Sequence, residues 1–172
     1  MARIGVFLVL ILLISVASAQ QQPRDYPGEV FALASAAVGK HIPNTAAAPG
    51  FCLGVAWKPR DTDKKGLHDP YLVAEFGRHV SDTHASFNTY LFGAGSHTGE
   101  RHRLSGFFQV LVGAEEKNLP LDWNYVLAPG GGADLRLNDK ISWRAIQVDL
   151  TITHGPGTAR VSSGFVFRFG HS

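Results

Sequence analysis

The stretch that decides the fold reads ISWRAIQVDLTIT and covers residues 141–153. In its second half, every other side chain is apolar. A two-residue period places successive side chains on opposite faces of a β-strand, so the stretch predicts a strand with one apolar and one mainly polar face. The apolar set is Ile146, Val148, Leu150 and Ile152, and the opposing set is Ala145, Gln147, Asp149, Thr151 and Thr153.

The same alternation recurs elsewhere in the chain. Residues 159–169 read ARVSSGFVFRF, so that three phenylalanines alternate with small or basic residues. Residues 70–81 and 133–137 show the pattern as well. The aromatic set of the last stretch is Phe165, Phe167 and Phe169, and the charged residues on the opposing faces are Glu75, Asp134, Arg136, Arg160 and Arg168.

Apolar segments separated by turn-forming residues recur along the whole chain after residue 30, and none has a helical period. Short connections such as Asn138-Asp139 favour hairpins, and no helix fits between neighbouring segments. We therefore predict an all-β, antiparallel, up-and-down arrangement of eight strands. The segments are Val30–Lys40, Gly50–Lys58, Pro70–Ser81, Ala85–Ser96, Leu104–Ala114, Asn124–Leu137, Ile141–Thr153 and Ala159–Phe169.

Composition excludes several classes of protein. The chain has 172 residues, of which 17% are charged, with a formal net charge of +2. This length allows one domain or two, and the small, mixed charge argues against a nucleic-acid partner. A single cysteine excludes an intramolecular disulfide framework and a zinc site built on thiolates alone.

Residues 1–19 have the features of a secretory signal peptide. A positive start is followed by the apolar run Ile4–Val16 and by Ala17-Ser18-Ala19, which predicts cleavage after Ala19. Residues 20–29 are then a polar lead-in, and residues 30–170 are the barrel. The apolar run is shorter than the ~20 residues that a membrane-spanning helix requires.

Alternation alone allows two placements of the apolar face. In a soluble barrel or sandwich it packs inward, whereas in a transmembrane barrel it faces lipid and the charges line the interior. Export, strands of the length that crosses a bilayer at a tilt, and aromatic residues near segment ends all favour the membrane barrel. These aromatic residues are Tyr71, Trp123, Tyr125, Trp143 and Phe169.

Three stretches of the second half also resemble a known family. Residues 130–137 read GGGADLRL, residues 143–149 read WRAIQVD, and residues 163–170 read SGFVFRFG. They resemble small bacterial outer-membrane β-barrel proteins of the eight-stranded OmpA/OmpX type, whose members carry similar Gly-rich, Gln-x-Asp and Phe-Arg-Phe strands. The resemblance covers the chain from about His84 onward and is weaker over residues 30–81.

The resemblance implies a monomeric barrel in the bacterial outer membrane with both termini in the periplasm. Its partners would be outer-membrane lipid and the barrel assembly machinery, which would read the closing strand that ends at Phe169. The expected role is structural or surface-interacting. An eight-stranded lumen is narrow enough for side chains to fill, which argues against a porin.

Charges inside such a lumen must be paired. We therefore predict a barrel-interior network that has a structural role and is formed by Glu75, Asp134, Arg136, Asp149 and Arg168. The glycines at 130–132 would allow the tight coiling of a small barrel.

The sequence offers little chemistry. Its eight histidines include no pair with the H-E-x-x-H spacing of a zinc site. His97, Glu100 and His102 are interpreted as solvated loop residues. We predict no metal, no cofactor, no nucleic-acid partner and no enzymatic activity.

Two other functions remain open. One is a soluble periplasmic or secreted barrel that binds a small apolar ligand. The other is a lipid A-modifying enzyme, because some barrels of this size use a histidine, a serine and an acid. His154 with Asp149, Ser162 and Ser163 could imitate that set, but it has no distinctive motif.

Overall fold

The structure is a computed structural model. It describes residues 27–39, 47–58, 68–80, 86–98, 103–117, 122–153 and 157–170. The signal sequence with Ala19, the residues 20–26 of the lead-in, and His154 therefore lie outside the described residues. In the described part of the chain, no helix is long and apolar enough to cross a membrane.

Eight antiparallel strands form one closed barrel in sequence order, because β1 pairs with both β2 and β8. The predicted eight-stranded up-and-down barrel is confirmed. Gly28 and Phe169 lie opposite each other at one rim, the terminal rim, and Gly39 and Thr158 at the other, the distal rim. The strands are β1 Gly28–Gly39, β2 Ala48–Trp57, β3 His68–Val80, β4 Ser86–Thr98, β5 Leu104–Lys117, β6 Asp122–Arg136, β7 Ile141–Thr151 and β8 Thr158–Phe169.

The strands agree with the predicted segments to within a few residues, and the largest difference is at β5. This strand continues beyond Ala114 to Lys117, where it pairs with Asp122 of β6. The Glu115 carboxylate lies 3.3 Å from the Lys117 ammonium. Charged residues suggested a turn, but near a barrel rim a strand continues with polar side chains.

Apart from one bulge in β7, side chains alternate between the inner and outer faces of the barrel, even in strands whose hydrophobicity does not alternate. On β5 the adjacent phenylalanines take opposite sides: Phe107 is buried in the lumen and Phe108 is exposed on the outside. Gln109 and Leu111 follow Phe107 inward. Because the lumen contains both apolar and polar side chains, this strand lacks a clear binary pattern in the sequence.

Strand β7 contains a β-bulge. Arg144 and Gln147 pair with Gly164 and Ser162 of β8, so two residues of β7 face one residue of β8. The extra residue is Ala145, which β6 also skips. Such a bulge shifts the alternation by one position. The predicted inward face of β7 therefore holds from Gln147 to Thr151, but Ala145 does not share it, and Arg144 points inward instead.

Candidate functional site

The two faces of the barrel have inverted polarity compared with a soluble protein. Outward positions carry large apolar side chains, such as Val148 at 37% exposure, while the adjacent Asp149 is completely buried. Phe165, Phe167 and Phe169 of the closing strand are all exposed on the outer surface. The lumen holds an apolar cluster that includes Phe31, Leu33 and Leu111, together with carboxylates, guanidinium groups and amides. The charged interior is therefore the candidate site for a structural role.

A bidentate ion pair lies in the half of the lumen nearer the terminal rim. Arg144 Nε donates to Asp134 Oδ1 at 2.8 Å, and Nη2 donates to Oδ2 at 3.0 Å. The guanidinium carbon lies 4.1 Å from the ring centre of Phe107 and 5.0 Å from that of Phe31. Two parallel hydrogen bonds and two aromatic rings offset the free-energy cost of removing the Arg144 guanidinium from water.

Gln147 connects this pair to a second group of charges. Its side-chain oxygen accepts a hydrogen bond from Arg144 Nη1 at 3.0 Å. Its amide nitrogen lies within hydrogen-bond distance of Asp149 Oδ2, at 2.8 Å, and of Glu75 Oε2, at 3.3 Å. An amide that both donates and accepts can join a cation to an anion, which is what Gln147 does here.

Arg160 is the cation of the second group. It forms ion pairs with Asp149, at 2.8 Å from Nη2 to Oδ2, and with Glu75. Asp149 also accepts a hydrogen bond from the Gln109 amide at 3.2 Å, and the Tyr71 hydroxyl donates to the Gln109 oxygen at 3.3 Å. The network therefore joins side chains of β3, β5, β6, β7 and β8.

A third pair closes the barrel seam. Glu29 and Arg168 are register partners on β1 and β8, and Arg168 Nε donates to Glu29 Oε1 at 2.9 Å. Both side chains are buried. The first and last strands are thus joined by an ion pair as well as by backbone hydrogen bonds.

Four of the five predicted network residues are buried in the lumen. They are Glu75, Asp134, Asp149 and Arg168. Arg136 instead ends β6 and is half-buried at the terminal rim. The guanidinium that binds Asp134 on both oxygens belongs to Arg144.

Sequence reasoning did not find Arg144 or Glu29. Arg144 was missed because of the bulge: strict alternation counted back from Gln147 would place the Arg144 side chain on the outer face. Glu29 falls within the predicted polar lead-in, residues 20–29. That it shares the inward face of β1 with Phe31 is visible only in the structure.

Close packing in the lumen explains one of the predicted strand glycines. A Cβ at Gly130 would overlap Asp149 Oδ1 and would lie 2.7 Å from the Val148 carbonyl oxygen. Only glycine leaves room for the Asp149 carboxylate at this position.

Among the described residues, two histidines are buried in the lumen. The interpretation of His97 as a solvated loop residue is wrong, because β4 pairs through Thr98 and encloses the ring, 4.6 Å from that of Tyr71. His79 Nε2 shares a 2.7 Å hydrogen bond with Ser35 Oγ, and its ring stacks on Phe87. Among the residues that the structure describes, no group of three or more His, Cys, Asp or Glu side chains could hold a metal ion.

The serines of the suggested catalytic grouping have different environments. Ser162 is buried in the lumen. Ser163 lies at the bulge, where its hydroxyl donates to the Arg144 carbonyl at 3.0 Å and accepts from Trp143 Nε1 at 3.2 Å. Asp149 is held by Arg160 and Gln147. These contacts give each of Ser163 and Asp149 a structural partner.

Comparison with known proteins identifies the fold. No family model matches the chain, and no curated protein matches it significantly. Among solved structures, Neisserial surface protein A is 11% identical with a TM-score of 0.53, over 83% of this chain and 96% of that one.

Two further structures are similar. The attachment invasion locus protein Ail of Yersinia pestis is 14% identical with a TM-score of 0.56, over 86% of this chain and 100% of that one. The outer membrane enzyme PagL is also 14% identical with a TM-score of 0.56, over 82% of this chain and 99% of that one. This chain has the fold of the small eight-stranded outer-membrane barrels, so the expected resemblance to the OmpA/OmpX type is confirmed at the level of the fold.

Proposed function

We propose that this chain is a bacterial outer-membrane β-barrel with a structural or surface-interacting role, a packed lumen and no enzymatic activity. The main support for this proposal is the inverted polarity of the barrel: apolar side chains cover its outer face, and charged side chains lie in the lumen. A continuous outer surface of exposed Leu, Val, Ile and aromatic side chains is what a lipid environment requires, and water would penalise it. Export by a signal peptide cleaved after Ala19 is part of the proposal.

The dense packing of the lumen favours a sealed barrel and argues against a porin or a soluble ligand carrier. Large side chains from facing strands are fully buried there, including Leu111, Gln109, Gln147 and His97. Eight strands enclose an interior that side chains can fill. We propose that the buried ion pairs fix the register of the strands around this interior.

The Ser35–His79 hydrogen bond favours a structural over a catalytic interpretation. A serine and histidine in contact are one part of a nucleophilic site. Here both side chains are buried inside the lumen, whereas a lipid substrate would reach the outer face. PagL is an outer membrane enzyme, but the similarity of this chain to it is one of fold.

As partners, we propose outer-membrane lipid and the barrel assembly machinery, with the latter contacting the closing strand through Phe165, Phe167 and Phe169. The protein itself would be a monomer, because a closed barrel leaves no strand edge to pair with another chain.

Arginine substitutions at two depths test the membrane location. Val148 faces outward two residues beyond the centre of β7, and Trp143 faces outward two residues from the end of β7 at the terminal rim. We expect Val148→Arg to lower the free energy of unfolding by ~2–4 kcal/mol and Trp143→Arg by ~0–1 kcal/mol from the charge, because the cost depends on depth in the bilayer. The measurement is reversible urea unfolding in lipid vesicles. Equal tolerance of arginine at both positions would contradict a lipid-facing Val148.

A further inference from the structure

An open, apolar groove of about 820 Å³ runs across the outer surface of β8 and of β1 to β4. This volume is in the ~300–1,000 Å³ range of sites that hold small-molecule ligands. Its outward-facing lining includes Leu53, Val55, Phe76, Tyr90 and Phe92. The groove is therefore large enough for a ligand, and it lies on the surface that the proposed function places in lipid.

Small residues form the floor of the groove and large ones form its walls. Ala74 faces outward between Val55 of β2 and Phe92 of β4, with which it pairs. Ala32, which also faces outward, provides a further low point in the floor. Because the neighbouring side chains are larger, the surface between them is concave, and an extended apolar chain would fill it.

Aromatic rings line the end of the groove towards the distal rim. The ring centre of Phe76 lies 6.1 Å from that of Phe51 and 5.3 Å from that of Tyr90. Tyr90 in turn lies 5.8 Å from Trp123. A row of aromatic rings of this kind is typical of the boundary between lipid tails and headgroups.

A positive charge lies immediately beyond these rings. Arg78 is exposed and follows Phe76 on the outward face of β3, paired with Phe51 on one side and Asn88 on the other. The nearby Glu116 carboxylate accepts hydrogen bonds from Asn88 at 3.1 Å and from Tyr90 at 3.3 Å. Asn88 thus separates Glu116 from Arg78 in the strand register.

We infer that this groove binds an acyl chain of a phosphorylated outer-leaflet lipid, whose phosphate pairs with Arg78. The inference rests on the proposed membrane location, in which the distal rim faces outward. An apolar groove that ends at aromatic rings and a guanidinium matches the order of tail, interface and phosphate in such a lipid. A second copy of the chain would have to bury the Arg78 charge, which is costly without a partner anion.

The test measures lipid binding to the full chain in a neutral maltoside detergent by native mass spectrometry, with bisphosphorylated lipid A as the probe. The variants are Arg78→Gln and Ala74→Trp, which fills the floor. Their matched controls are Arg103→Gln, an exposed arginine near the terminal rim, and Ala94→Trp, an exposed alanine outside the groove lining. Every variant is first checked for the gel-mobility shift of a folded barrel.

We expect saturable binding of one lipid to the unmodified chain. Arg78→Gln should weaken it about tenfold, as loss of a charge-assisted hydrogen bond does. Ala74→Trp should abolish it, and both controls should bind as the unmodified chain does. Lipid A without phosphates should also bind about tenfold more weakly.

Equal binding by Arg78→Gln and its control, or by both forms of lipid A, would overturn the inference, since it would show that the lipid is bound without specificity. A dimer that Ala74→Trp dissociates would overturn it as well. If Ala74→Trp does not fold, Arg78→Gln still decides. A chain that is soluble without detergent would instead contradict the proposed function, so the two failures are distinguishable.

Discussion

Arg144 is buried between two aromatic rings, with both carboxylate oxygens of Asp134 as its partners. Removing a charge from water is costly, and the compensation here comes from groups on other strands. A side chain held in this way contributes to stability only while all its partners are present. Loss of one member leaves the other charge buried without its counterion.

We therefore predict that Arg144→Met lowers the free energy of unfolding by ~3–5 kcal/mol, because it leaves Asp134 buried without its counterion. Urea unfolding in detergent micelles measures the change. Arg103→Met removes an exposed arginine and should stay within about 0.5 kcal/mol of the unmodified chain. If the two variants were equally stable, Asp134 would not depend on Arg144.

Three of the four residues that the sequence allowed us to place in the lumen share one property. Glu75, Asp149 and Arg168 each lie in a stretch where alternation is unbroken. Which charges pair with which could not be predicted, because each pair joins different strands and depends on register. Nor could Arg144 be placed in the lumen, since the unpaired Ala145 shifts the alternation of inward and outward residues by one position.

At the scale of the strand, the bulge in β7 decides which side chains reach the lumen. Ser163 donates a hydrogen bond to the Arg144 carbonyl next to the bulge. On both sides of Ala145 the inward positions are then filled by Arg144 and Gln147, which hydrogen-bond to each other. A bulge thus places two neighbouring network residues on the same face despite their spacing of three.

This arrangement predicts different results for two single-residue deletions. Deleting Ala145 removes the bulge, and Arg144 and Gln147 both still face inward. Deleting Val148 puts Asp149 in an outward position. The same one-residue shift reverses the facing of every later residue of β7. We expect the first variant to fold and the second to fail, judged by the gel-mobility shift of unboiled samples. Failure of both, or folding of both, would contradict the assigned register.

Strand β5 shows why hydrophobic periodicity has limits as a guide. Its inward set combines Phe107 and Leu111 with Gln109, and its outward set is apolar throughout the middle. A narrow lumen needs apolar volume as well as charges, so apolar residues appear on both faces. The number and order of strands could still be predicted, because turn-forming residues separate them.

At the scale of the whole molecule, the proposed membrane location depends on where the apolar surface lies. Closure of the sheet satisfies the backbone hydrogen bonds of every strand, which a protein in lipid requires. The ion pair between Glu29 and Arg168 stabilises the seam at which closure occurs. Composition could not distinguish this arrangement from a soluble barrel, since both use similar numbers of apolar and charged residues in opposite places.

The most direct test is to express the full chain in a Gram-negative host and to follow its location and gel mobility. If the chain is an outer-membrane barrel, the protein will sediment with the outer membrane and will need detergent for extraction. Boiled and unboiled samples will also migrate differently, because the closed barrel resists the detergent until heated. A chain recovered from the soluble periplasmic fraction, with the same mobility before and after boiling, would contradict the membrane-barrel assignment.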